Sequence, residues 1–218
     1  MTALPFSRLR RSALSGIFGF GSLALAACSL PVNHQPMQQS YRLTAPSIRT
    51  APLPQPTVVR LLPVRASAGF QSSAMMYSRS PDTLEPYRDS RWLAAPAQLF
   101  GETIARALGE QPWVTAVQQR TVLVNAPWTL HCGLNRLEHD VREGKGTVHL
   151  DFTCELVDQH TSRITAHWRF DSRKPIAVND AAHFAQGAQA LLNQALVGIV
   201  QHTRAAVESA QTADKPAS

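Results

Sequence analysis

The sequence predicts a single α/β domain in which an antiparallel meander and two main helices share one core. Three observations predict it. Trp128, Leu130, Cys132 and Leu134, then Val148, Leu150, Phe152, Cys154 and Leu156, then Ile164, Ala166, Trp168 and Phe170 fall on even positions with mostly polar residues between them, the period of strands with one wet face. Two segments, near 96–108 and 181–200, carry apolar stripes at helical spacing. Ahead of both, Thr57 to Val64 is the near-continuous aliphatic run of a strand covered on both faces.

The chain opens with a leader. Arg8, Arg10 and Arg11 precede an apolar run from Ala13 to Ala27, which is too short for a stable membrane span and is followed by Leu25-Ala26-Ala27-Cys28. Residues 1–27 read as a signal peptide, and the Leu-Ala-Ala-Cys ending resembles a lipobox. That resemblance implies that Cys28 becomes the first mature residue, its thiol joined to a diacylglycerol. Ser29, where an aspartate would favour inner-membrane retention, implies the outer membrane and its periplasmic face. The alternatives are an ordinary signal with a chance cysteine or an uncleaved anchor helix. Removing residues 1–27 takes away three arginines and no acids, lowering the formal net charge from +6 to +3. So small and dispersed an excess argues against a nucleic-acid partner. An exported chain with Cys28 lipidated keeps two thiols, Cys132 and Cys154, in an oxidising compartment.

Residues 28–56 hold six prolines and few large apolar side chains, the composition of an extended tether, interrupted by Tyr41-Arg42-Leu43 as a short edge strand. The folded domain is expected over 57–207, with 208–218 a disordered tail. Its first strand bends or meets an edge at Pro63. A loop spans Ala66 to Ser73, and short strands at Ala74–Arg79 and Leu84–Arg88 flank the Ser80-Pro81-Asp82 turn. The first helix starts at Pro96, a favoured first position, with Leu93, Ala97, Phe100, Ile104, Ala107 and Leu108 on its stripe and Gly109 as the stop. Trp113–Gln118 is a strand. In the meander, a turn centred near residue 143 sets Leu130 against Leu156, Cys132 against Cys154 and Leu134 against Phe152. A turn near His160 sets Phe152 against Trp168 and brings Asp151 near Arg169. Asn179-Asp180 caps the last helix, whose stripe runs from Ala181 through Phe184 to Val200.

This order of features resembles a family. A lipobox, a proline-rich tether with Tyr-x-Leu, a Val/Leu strand, Met75-Met76-Tyr77-Ser78-Arg79, Tyr87 to Pro96 with Ser90-Arg91-Trp92 at its centre, a meander and an alanine-rich closing helix are similar to the ABC-type transport auxiliary lipoproteins, the PqiC-like family. The likeness implies a mixed sheet of about five strands with two main helices. It implies a noncatalytic component working beside an ABC transporter and a periplasmic MCE-domain protein, moving phospholipid or other apolar compounds between membranes. An assembly lipoprotein of another outer-membrane machine, of the lipopolysaccharide-insertion type, is the alternative. A lipid-modifying enzyme is a third class, and it requires a histidine beside a hydroxyl in a pocket.

No catalytic, cofactor or metal site is expected. His131, His149 and His167 share the wet face, but His131 and His167 sit two strands, about 10 Å, apart, too far for ligands that lie about 2 Å from one ion. No nucleophile elbow or phosphate loop occurs. The facing thiols read as a structural disulfide or as two buried free cysteines, which pack as small hydrophobes. Phe70, Met75, Met76, Tyr77, Tyr87 and Trp92, with Arg91, are read as an apolar groove for a lipid tail or partner strand, or else as core. Asp151, Glu155, Arg163, Arg169 and Asp171 read as a solvated face.

Overall fold

In a computed structural model describing residues 38–119 and 125–213, the long strand β7 (Trp128–Asp140) is the spine on which every layer is organised. The leader, Cys28 and Ser29 lie outside the described residues. One edge of β7 pairs antiparallel along its whole length with β8 (Thr147–Asp158), which pairs in turn with β9 (Arg163–Pro175). The other edge is shared in succession by three short parallel strands, β2 (Thr57–Leu61), β3 (Arg65–Ala66) and β4 (Ala74–Ser78). Outside these lie β6 (Val114–Gln118) on β2, then β5 (Glu85–Trp92) on β4, and β1 (Gln39–Tyr41) on β5. The mixed sheet thus holds nine strands among the described residues rather than about five. The aliphatic run breaks at Pro63 into β2 and β3, and the 28–56 segment contributes β1. Helices α1 (Pro96–Gly109) and α2 (Ala181–Ala213) bury their stripes with the sheet's inner face, where Phe100 meets Phe152 at 5.2 Å between rings and Trp92 meets Phe184 at 5.4 Å.

The first meander register is as expected, with Leu130 opposite Leu156, Cys132 opposite Cys154 and Leu134 opposite Phe152. Beyond Leu134 the pairing shifts at a bulge, and the parity of β7 reverses: Leu137 and His139 now face the core. The second register lies two residues from expectation, with Phe152 opposite Phe170 and Cys154 opposite Trp168. A shift of two leaves each side chain on its own face, so alternation alone could not detect it. Another bulge falls between Leu156 and Val157, whose partners are Ala166 and Ile164. That bulge turns Ile164, expected in the core, to 59 % exposure.

Three boundaries differ from expectation. The helix stop is not a left-handed glycine, since Gly109 stays helical; the buried Gln111 side chain closes the turn by donating Nε2 to Ala107 O and Ile48 O, each at 2.8 Å. Leu93 precedes the helix at the extended end of β5, and with Trp92 turned inward it points out, 64 % exposed. The segment 42–56 lies as a strap along both helices. Leu43 and Leu53 are buried, and its backbone is held by Gln189 at Thr44, Arg204 at Ala51 and Gln211 at Gln55. Composition suggested a tether because it counts apolar residues, whereas Gln111, just past α1, and Gln189, Arg204 and Gln211 on α2 supply the missing partners. Helix α2 also runs through Ala213, past the expected start of the tail.

Candidate functional site

Where β4 and β5 meet the start of α2, the surface opens into a cleft of roughly 860 Å³ with Tyr77 and Tyr87 among its walls and Arg79, Arg88, Asp89 and Asp180 among its lining. The parity reversal in β7 builds its support. Because His139 faces inward, its Nδ1 lies 2.6 Å from Tyr87 Oη, and Phe184 stacks on the imidazole with 5.6 Å between ring centres. Burial holds His139 below the usual histidine range; the neighbouring Asn179 side chain acts more weakly in the other direction. Burial, with the charge of Asp180 behind it, pushes the Tyr87 hydroxyl up to about 12. A neutral imidazole accepts at Nδ1 from a hydroxyl that stays protonated, while its buried Nε2 makes no hydrogen bond among the described residues.

Tyr77 meets Tyr87 edge-on at 5.1 Å and donates to Glu85 Oε2 at 2.9 Å. That hydrogen bond is the main reason its hydroxyl titrates above the usual tyrosine value. Arg79 lies over the Tyr77 ring at 5.1 Å and donates to its hydroxyl at 2.9 Å. Asp180 caps α2, accepting from His183 N at 2.7 Å and facing His183 Nδ1 at 2.8 Å, and the backbone bond chiefly holds its carboxyl below the carboxylate range. Chemically the cleft offers aromatic walls for apolar contact and guanidinium groups at the rim. His139 is wholly buried with Nδ1 occupied, so the histidine beside a hydroxyl that an enzyme would require is present here as a support of the wall.

The residues singled out in the sequence are divided by the fold. Phe70, Met75 and Trp92 are buried in the core; Met76, Tyr77 and Tyr87 are half-buried, the two tyrosines in the cleft; Arg91 is exposed and donates to Ser40 Oγ at 3.3 Å. His139, Phe184 and Asp180 were not among them. The signal for the bulge that turns His139 inward is Leu137, an apolar residue at an odd position three after Leu134. Cys132 and Cys154 are bonded in the core, their Cα atoms 4.2 Å apart, the spacing of a closely approached antiparallel pair.

The outer face of the meander is less wet than alternation suggests. Asp151 accepts both Nε and Nη2 of Arg169, at 2.9 and 2.6 Å, together with Asn135 at 3.2 Å, and Arg169 chiefly holds its carboxyl down. His149, 6 % exposed, faces Asp171 at 2.7 Å. Asp140 accepts from Arg142, whose guanidinium lowers its carboxyl, with Arg173 3.7 Å away. His131 and His167 flank Glu155 in register, and among the described residues no three His, Cys, Asp or Glu side chains are placed to hold a metal ion.

The family model described as ABC-type transport auxiliary lipoprotein component matches residues 41–200. None of the curated proteins matches the sequence. The crystal structure of a Xanthomonas campestris protein of family DUF330 is similar, with TM-score 0.71, 17 % identity, and 81 % of this chain and 99 % of that one covered. The crystal structure of an uncharacterized protein follows, with TM-score 0.60, 12 % identity and 77 % and 99 % coverage. At these identities the likeness is one of fold.

Proposed function

The chain belongs to the ABC-type transport auxiliary lipoprotein component family, and from that premise we infer that it is a noncatalytic partner of an ABC transporter, held on the outer membrane through lipid on Cys28 and facing the periplasm. The partner it meets there is a periplasmic MCE-domain protein, and the compounds moved between the membranes are phospholipids or similarly apolar molecules. The observation that carries the reading is the layout: the matched span 41–200 fills the folded unit, and the first described residue, Gln38, follows the lipobox cysteine by ten positions. Two or three acyl chains at about 0.8 kcal/mol per buried methylene hold such a domain on a bilayer. The cleft beside α2 is the recognition surface assigned to the transport partner. Its aromatic walls and arginine rim suit a protein contact better than turnover.

Cys28→Ala tests the anchor: the protein is expected to move from the membrane to the soluble periplasmic fraction, and unchanged fractionation defeats the anchoring claim. Crosslinking of the membrane-bound protein in its own cells, followed by purification, tests the partner. Recovery of an MCE-domain or ABC component is the expected result, and recovery of a lipopolysaccharide-insertion component instead reassigns the protein to that machinery.

A further inference from the structure

The strap and strand β1 limit which sides of the domain the membrane can meet. Residues 42–56 are pinned to α2 and to Gln111 just past α1, and β1 pairs with β5, so only residues 29–37 separate Cys28 from Gln38. Nine residues span at most about 30 Å. Half the girth of a domain of this size, with a radius of gyration of about 16 Å, is roughly twice that. The side opposite Gln38 therefore cannot be turned toward the bilayer, whereas the surface adjoining Gln38 lies within easy reach of it.

That surface is the β1–β5 edge. Gln38 Nε2 donates to Arg88 O at 3.3 Å, and β1 runs parallel to β5 with Ser40 beside Arg91 and Tyr41 beside Trp92. Leu93 N donates to Tyr41 O, which sets Leu93 next to Arg42. Arg42, Arg88 and Arg91 are all exposed, the Arg88 side chain by 89 %, with Asp89 as the nearby acid, paired to Arg88. Leu93, at 64 %, is the most exposed large hydrophobic side chain among the described residues. Strand β1 is only about 10 Å long, so these groups share one small area at the mouth of the link. A single exposed leucine is ordinary. One flanked by two arginines on the edge that carries a lipid anchor is not.

We propose that the β1–β5 edge is a membrane-contact surface, in which Arg42 and Arg91 engage the phosphates of anionic phospholipids in the leaflet that holds the anchor and Leu93 enters the headgroup layer. The contact rests on lipidation of Cys28 as given above. It fixes the height and tilt of the domain, and it turns the cleft lined by Tyr77 and Tyr87 to a set direction. Guanidinium groups bind phosphate through paired donors, and their attraction to an anionic surface acts within a Debye length, about 8 Å at physiological salt, which a link this short permits.

Nitroxides attached through Leu93→Cys and, as control, Ile164→Cys in the lipidated chain test this on vesicles of phosphatidylethanolamine with 30 % phosphatidylglycerol and on vesicles without the anionic lipid. Collision with a water-soluble relaxant is expected to fall about fivefold at position 93 on the anionic vesicles only, and to stay unchanged at position 164 on the outer face. Arg42→Glu with Arg91→Glu, both at exposed positions, is expected to abolish the difference while the thermal melt is retained. A chain that floats with both vesicles in high salt but shows equal accessibility at position 93 overturns the contact and leaves the anchor standing. One that fails to float in high salt overturns the anchor, and the contact with it.

Discussion

Reduction of the Cys132–Cys154 bond offers the sharpest test of how the meander is held. The bridge joins residues 22 apart in sequence, at directly opposed positions of β7 and β8. In the chain-entropy account a loop of that size costs the unfolded chain about 11 cal/mol/K, or about 3.4 kcal/mol at 25 °C. The native state should change little, because both sulphurs are buried and reduced cysteines still pack as small hydrophobes. For a domain of this length each kcal/mol moves the midpoint by about 2–4 °C, so reduction is expected to lower Tm by about 7–14 °C. The assay is a thermal melt followed by circular dichroism, with and without a phosphine reductant, alongside a thiol count by mass after alkylation in denaturant. Two alkylated thiols in unreduced protein would remove the bond itself. A fully reduced domain whose Tm moves by less than about 2 °C would refute the entropic reasoning.

Tyr87→Phe leaves His139 Nδ1 buried without its partner and is expected to cost about 1–3 kcal/mol in urea denaturation; a loss below a few tenths would mean that the pair contributes nothing to the cleft wall. Gly187→Ala puts a Cβ 2.5 Å from Val148 Cγ2, where α2 crosses β8, and that overpacking is expected to cost about 1–3 kcal/mol despite alanine's better helix propensity; a stabilised variant would show that the crossing yields freely. His139 titrates below 6.5 in the fold, so its contribution is complete above pH 6.5 and declines as pH falls through that value, because the unfolded chain takes the proton first. Asp140 and Asp151, both held below 3.8, keep theirs until pH falls through 3.8, so Tm measured against pH should decline in two stages, and His139→Gln should remove the upper one. Persistence of the upper stage in that variant would assign it elsewhere.

Much of the fold was legible because its signals are local. The stripes of α1 and α2, Pro96 at the helix start, Asp180 at the cap and the facing of Cys132 with Cys154 each depend on residues close in sequence or on a single turn. Tyr77 and Tyr87, named from the sequence, do line the cleft. Its other determinants were hidden for a common reason. The bulge near Asn135 that sends His139 inward, and the one that turns Ile164 out, are choices made when whole strands are paired, and each reverses a face; Leu137, three residues after Leu134, is the only local mark of the first. The two-residue displacement of β9 is invisible for the opposite reason, since it preserves every face.

Thus the sequence alone determined the ingredients: two amphipathic helices, alternating strands and a pair of thiols on one face, all written in runs of neighbouring residues. Tertiary structure decided which parts are joined. Pairing nine strands around β7 placed Tyr87 on His139, and the surfaces of α1 and α2 captured a proline-rich segment too poor in apolar residues to order itself. That capture orders residues 42–56 where composition suggested a tether, because what orders a chain is the partners available to it in the whole molecule, which its own composition does not record.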